Sequence, residues 1–169
     1  MNVIEAINTR RSIRQYTGEI INDEQLSILL RAGFQAPSAH NFQPQEYIVV
    51  KDSDTLELIA KRHKYAKALP LAGCGIVVCG DVKKETREGS LIADCSASIQ
   101  NILLAAHELD LGAVWIGLHP VKEFTEIISE ILDIPENIIP IGVVAVGYPD
   151  VQKEAIDRYD EEKIHKEKW

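Results

Sequence analysis

Three arginines and a hydroxyl fall within five residues near the start of this 169-residue chain, Arg10-Arg11-Ser12-Ile13-Arg14. In an extended segment side chains alternate, so Arg10, Ser12 and Arg14 share one face. Guanidinium forks match phosphate oxygens, and a phosphomonoester carries about −1.5 to −2 charges near neutrality. The same residues would equally form a surface cluster paired with nearby acids. A second candidate is Ala36-Pro37-Ser38-Ala39-His40-Asn41-Phe42-Gln43-Pro44. Two prolines bracket a hydroxyl, an imidazole and two amides. Asn and Gln carry both donor and acceptor, which suits the edge of a heterocycle; the alternative is a loop held by its own side-chain-to-backbone bonds. The third candidate is the turn after Ala113-Val114-Trp115-Ile116-Gly117. Gly117 permits close backbone approach and Trp115 offers a flat wall, although a core tryptophan and a strand-ending glycine would look the same.

Other chemistries lack their residues. There is no G-x-x-x-x-G-K-[ST], no H-E-x-x-H and no G-x-S-x-G. Gly73-Cys74-Gly75 is followed by Val78 where a dinucleotide fingerprint needs its third glycine. Cys74, Cys79 and Cys95 are odd in number and set among apolar residues, so they are expected to be reduced core thiols of a cytoplasmic protein. Neither they nor the five histidines have metal-ligand spacing. Eighteen basic against 26 acidic residues give a formal charge of −8, which argues against nucleic-acid binding. No apolar run is long enough to span a membrane, and Met1 to Glu5 has no signal-peptide pattern.

The elements that must position these residues alternate between helix and strand. Asn2 with Glu5, and Asn22 with Gln25, are capping-box pairs opening two helices. The second of these must end before Pro37. Strands are expected at Tyr47–Val50, Gly75–Cys79, Ala113–Gly117 and Ile138–Val146, with a helix opened by Asp54 and another at Phe124–Ile131. From Ser90 to Leu109 runs a long helix whose apolar positions nearly encircle it, so it should be buried, partly by another subunit. The last 20 residues are charged: a solvated tail or an arm that reaches across a partner. The pattern is one α+β domain.

Taken in order, these pieces resemble the nitroreductase family of flavin mononucleotide (FMN)-dependent oxidoreductases. The resemblance rests on Arg-Arg-Ser-x-Arg, Pro-Ser-x-x-Asn-x-Gln-Pro, the helix with Asp94, Gln100 and Asn101, Ala113–Gly117, and Gly147-Tyr148-Pro149 followed by Arg158-Tyr159. It implies a central, mostly antiparallel sheet flanked by helices in an intertwined homodimer. Residues 1–147 would form the FMN-binding body and residues 148–169 an arm crossing to the partner. Arg10, Ser12 and Arg158 would hold the phosphate with Arg11 beside them, and Arg14 would face the flavin pyrimidine. Ser38, Asn41 and Gln43 would reach the same flavin from the other subunit. Ile116 and Gly117 would place backbone groups near its redox-active edge. Many relatives have a second basic residue two positions before the C-terminal arginine, where this chain has Ile156; Lys153 is the available substitute.

The resemblance also implies the reaction. NADH or NADPH would deliver two electrons through flavin N5 and leave. An electron-poor small molecule, such as a nitroaromatic or quinone, would take them from the same pocket by ping-pong kinetics. No side-chain nucleophile or general acid is required. Alternatives are a specialised flavin reaction (reductive dehalogenation or flavin-consuming biosynthesis), for which Lys61 to Pro70 is the lid candidate, and a flavin-binding protein without turnover.

Overall fold

The computed structural model describes residues 1–169. Six helices surround one sheet: α1 (Val3–Thr9), α2 (Asp23–Phe34), α3 (Ser53–Arg62), α4 (Leu69–Ala72), α5 (Glu88–Glu108) and α6 (Lys122–Ile131). The strands are β1 (Gln45–Val50), β2 (Cys74–Asp81), β3 (Gly112–Gly117) and β4 (Ile138–Gly147), in the order β1-β2-β4-β3 and all antiparallel. This is the expected α+β architecture. No helix is long and apolar enough to cross a membrane.

Strands β2, β3 and β4 are near-continuous apolar runs because both faces of the sheet are covered there, whereas the edge strand β1 begins Gln45-Glu46 and is only partly buried. Alternation divides their residues between two cores. Val77, Val114, Ile116, Val143 and Ala145 pack with Leu56 and Ile59 of α3, Leu69 and Ala72 of α4, and Phe124 and Ile128 of α6. Ile76, Val78, Ala113, Val144 and Val146 pack with Leu29 of α2 and Cys95, Ile99 and Ile102 of α5. Ile141 is an extra residue in β4, where the register with β2 shifts between Val78 and Cys79. That bulge was not visible in the sequence.

The caps follow chemistry with two differences. Asn22 and Gln25 form the full capping box, whereas Asn2 accepts from the Glu5 amide without the reciprocal bond. Asp52, not Asp54, caps α3 by accepting from the Thr55 amide at 2.9 Å. Asp54 lies inside the first turn, where its charge suits the helix dipole. The long helix α5 buries Leu91, Cys95, Ser98, Ile99, Ile102, Leu103 and Ala106 against the sheet and α2, leaving Ala93 exposed and Ala97 and Leu104 half-buried. Trp115 is packed against Gly142, where an added Cβ would collide with the indole, so it joins the second core instead of offering a flat wall.

Helix α4 is one turn long and stops at Gly73, whose φ of 74° is left-handed. Its last carbonyl, on Ala72, meets Gly147 at the end of β4 so closely that no side chain fits between them. Gly147→Ala should therefore destabilise the protein by about 1–3 kcal/mol, measured by urea unfolding. An unchanged midpoint would mean that α4 is free to move away from β4.

Candidate functional site

The N-terminal arginines lie on an extended segment between β3 and the C-terminal residues. Ser12 bridges to Ala113 and Tyr16 to Pro149, and Ile13 donates its amide to the Ala113 carbonyl at 3.0 Å. Alternation holds: Arg11 and Ile13 are buried, Arg10 and Ser12 half-buried, and Arg14 exposed. Arg11 faces inward. Its Nε and Nη2 donate to the carbonyls of Glu154 and Ile156, both at 3.0 Å, and Nη1 donates to the Arg10 carbonyl at 2.6 Å. It is a brace that fixes the C-terminal segment to the N-terminal one. Lys153 donates to the Ser12 carbonyl at 2.9 Å, so it does stand beside the cluster.

No carboxylate neutralises these cations: none of Arg10, Arg11, Arg14 or Arg158 takes part in an ion pair. Arg10 Nε is buried and has no hydrogen-bond partner. Burial, and then the positive charges of Arg11 and Arg158, push the Arg10 pKa below its ordinary value. Like charges gathered in this way are a standing cost that an anion would relieve. Two cavities border the cluster. One of about 380 Å³ is lined by Arg10, Arg11, His107 and Lys153; another of about 490 Å³ is lined by Arg11, Ile156 and Arg158.

The loop after α2 is held in an unusual shape. His40, Asn41 and Gln43 have φ of 51°, 57° and 49°, left-handed values that non-glycine residues seldom adopt. The Ser38 hydroxyl accepts from the Gln43 amide at 2.9 Å. Asp94, buried on α5, accepts from the Ala39 amide at 3.0 Å, while its other oxygen has no partner. Glu85, almost fully buried, takes Arg87 on both oxygens, and Arg87 reaches His40 at 3.4 Å. The Arg87 side chain and then its amide pull the Glu85 pKa down to about 2. These supports leave the Asn41 and Gln43 side chains exposed and without bonds inside the chain. Asp94, Glu85 and Arg87 were not singled out as site residues from sequence; Glu85 sits in a charged stretch that looks like surface.

At the end of β3 Ile116 points into the first core, so only its backbone is available, and Gly117 is exposed with nothing within 4 Å of where a Cβ would stand. Beside it lies His63, which ends α3 and is fully buried. Its Nδ1 accepts from the Tyr65 amide at 3.3 Å and Nε2 is unpartnered. Burial lowers the His63 pKa against the favourable effects of its own backbone and of the Gly117 backbone, which favours the neutral ring. Residues 61–70 are not a free lid: His63, Ala66 and Leu69 anchor them in the core, leaving Lys64, Tyr65 and Lys67 exposed.

Arg10, Arg11 and Arg158 thus come together, with Ser12 and Lys153 adjoining. Ser12, Arg14, Ser38, Asn41, Gln43, Ile116 and Gly117 line neither cavity at the cluster. No group of His, Cys, Asp and Glu could hold a metal ion, and the three thiols are buried and free.

The family model described as Nitroreductase family matches residues 7–70 and 57–148. An Archaeoglobus fulgidus protein with the provisional name NADH dehydrogenase/NAD(P)H nitroreductase is 43% identical, over 98% of both chains. The NADPH-flavin oxidoreductase of Vibrio harveyi is 31% identical over 93% of this chain and 70% of its own. A solved Desulfovibrio desulfuricans structure, provisionally named a nitroreductase and containing FMN, superposes with a TM-score of 0.86. It is 31% identical and is matched over 100% of this chain and 98% of its own.

The Glu85–Arg87 pair gives a pH test. Glu85 is depressed from 4.5 to about 2, so its stabilisation is present above 4.5 and is lost as pH falls toward about 2. Arg87→Met removes the cause of the depression. The variant should be less stable than wild type at pH 7, with the difference shrinking at pH 3. Thermal midpoints at both pH values check this; a difference that stays constant would remove the pair from the support of the loop.

Proposed function

The chain belongs to the nitroreductase family, and from that premise we propose that it is an FMN-dependent oxidoreductase passing electrons from NADH or NADPH to an electron-poor small molecule. The observation that carries the reading is the unneutralised arginine cluster with its buried, unpartnered Arg10 Nε. It has the chemistry of a terminal-phosphate site, and the flavin named for relatives supplies such a phosphate.

Arg10, Ser12 and Arg158 would hold the phosphate, with Lys153 in the place left by Ile156. Arg11 would act through the backbone it braces. FMN held there would supply the two-electron chemistry between the nicotinamide and the acceptor. Arg14 would favour negative charge at the pyrimidine end. Gly117 leaves room for its backbone to approach the ring, and the unengaged Asn41 and Gln43 amides fit the ring of a partner's flavin. No proton needs to come from a side chain.

A homodimer follows from the same reading. Val3, Ile4 and Ile7 of α1 are exposed, at 71%, 66% and 51%. A contiguous apolar face of that kind suits a second copy of the chain. Residues 148–169 would then be an arm on the partner, where the exposed Tyr159, Ile164 and Trp169 find cover. The three reduced thiols fit a cytoplasmic setting.

Purified protein should be yellow and bleach when mixed with NADH or NADPH without air. Colour should return when a quinone is added. For the phosphate assignment, Arg10→Gln should weaken FMN binding roughly 10- to 100-fold, the worth of a charged hydrogen bond. Riboflavin, which lacks the phosphate, should bind both proteins alike. Equal losses for both ligands would take Arg10 off the phosphate.

A further inference from the structure

We propose that Lys64 and Tyr65 form the acceptor-recognition wall of this site and select flat aromatic acceptors bearing an anionic substituent. The inference rests on the reading above, in which the Gly117 turn faces the ring of the flavin.

The wall is joined to that turn through His63, the residue before Lys64. His63, buried, is influenced by the Gly117 backbone and packs against Phe124 of α6, the ring centroids 4.1 Å apart and the planes tilted by 48°. Tyr65 meets Phe124 edge-on at 5.9 Å and remains 65% exposed. The Tyr65 amide is tied back to His63 Nδ1. The Tyr65 ring is thus held at its edge by Phe124 and stays largely exposed, which leaves it available to a flat ligand.

The charge comes from Lys64. Its Nζ lies 4.9 Å from the Tyr65 ring centre and 5.6 Å from that of Phe124. Both preceding basic residues are neutralised: Lys61 by Glu57 at 3.4 Å and Arg62 by Glu130 at 2.6 Å. Lys64 has no carboxylate, although the chain carries an excess of eight acids. Glu123 acts on His63 but forms no ion pair with Lys64. The cation is held over aromatic faces and remains free to meet a carboxylate, sulfonate or phosphate on a stacked ligand.

The test uses FMN-loaded protein and a pair of unreactive analogues, benzoate and benzamide, which have similar shape and differ in charge. Dissociation constants come from calorimetry, and kcat/KM is measured in parallel with 4-nitrobenzoate and 4-nitrobenzamide. Wild type should prefer the anion in both measurements, roughly two- to fivefold for an exposed ion pair, and the preference should shrink with added salt. Lys64→Met should bring the ratio close to one. Tyr65→Leu should weaken both analogues. Lys67→Met removes the same charge away from the rings and should keep the preference. If Lys67→Met acts like Lys64→Met, or wild type shows no preference, the wall is not the selector. If wild type neither retains FMN nor is bleached by a nicotinamide, the underlying reading fails, and the inference falls with it.

Discussion

Three hydrogen bonds from one buried guanidinium organise the site. Arg11 binds the carbonyls of Arg10, Glu154 and Ile156 and so joins two ends of the chain that are about 140 residues apart. The consequence is electrostatic. Fixing the segment at 154–156 brings Arg158 close enough for its charge to lower the Arg10 pKa, and no acid intervenes. A protein with net charge −8 has gathered positive charge where repulsion and burial both oppose it. An anion bound there would relieve that cost, and its binding free energy would add to folding stability.

The loop at Ser38 shows the complementary economy. Its strained residues cannot be held by their own preferences, since left-handed φ costs each of them about 1 kcal/mol or more. Asp94 grips the loop at Ala39, and the Glu85–Arg87 pair reaches it through His40. The supports consume backbone groups and leave the Asn41 and Gln43 amides unengaged. Within one chain those amides have nothing to bind, and they do not line the cavities at the arginines. Under the proposed function the two half-sites belong to different subunits, with the flavin as the object that both require.

Local patterns were legible in the sequence because their causes are local. The alternation of Arg10, Ser12 and Arg14, the Asn22 box, the four strands and the stop before Pro37 all follow from neighbours in the chain. The order of the motifs carried the resemblance to the family, and the matches to known proteins bear that family out. What was hidden depends on distant partners. Arg11 was expected beside the phosphate, and its bracing role was hidden because its acceptors, the carbonyls of Glu154 and Ile156, carry no side-chain signature. Trp115 belonged to the core because Gly142 opens a slot opposite it. The cap of α3 moved from Asp54 to Asp52 by two residues, a choice between two acids that composition alone does not make.

The central claim is that neither half-site is complete without a second chain, so flavin binding and dimerisation are one equilibrium. Sedimentation of the FMN-free and FMN-loaded protein over a dilution series tests it directly. The account predicts that the loaded dimer persists to lower concentration than the flavin-free one, and that FMN is released as the dimer dissociates. A monomer that retains FMN with the affinity of the dimer would contradict it.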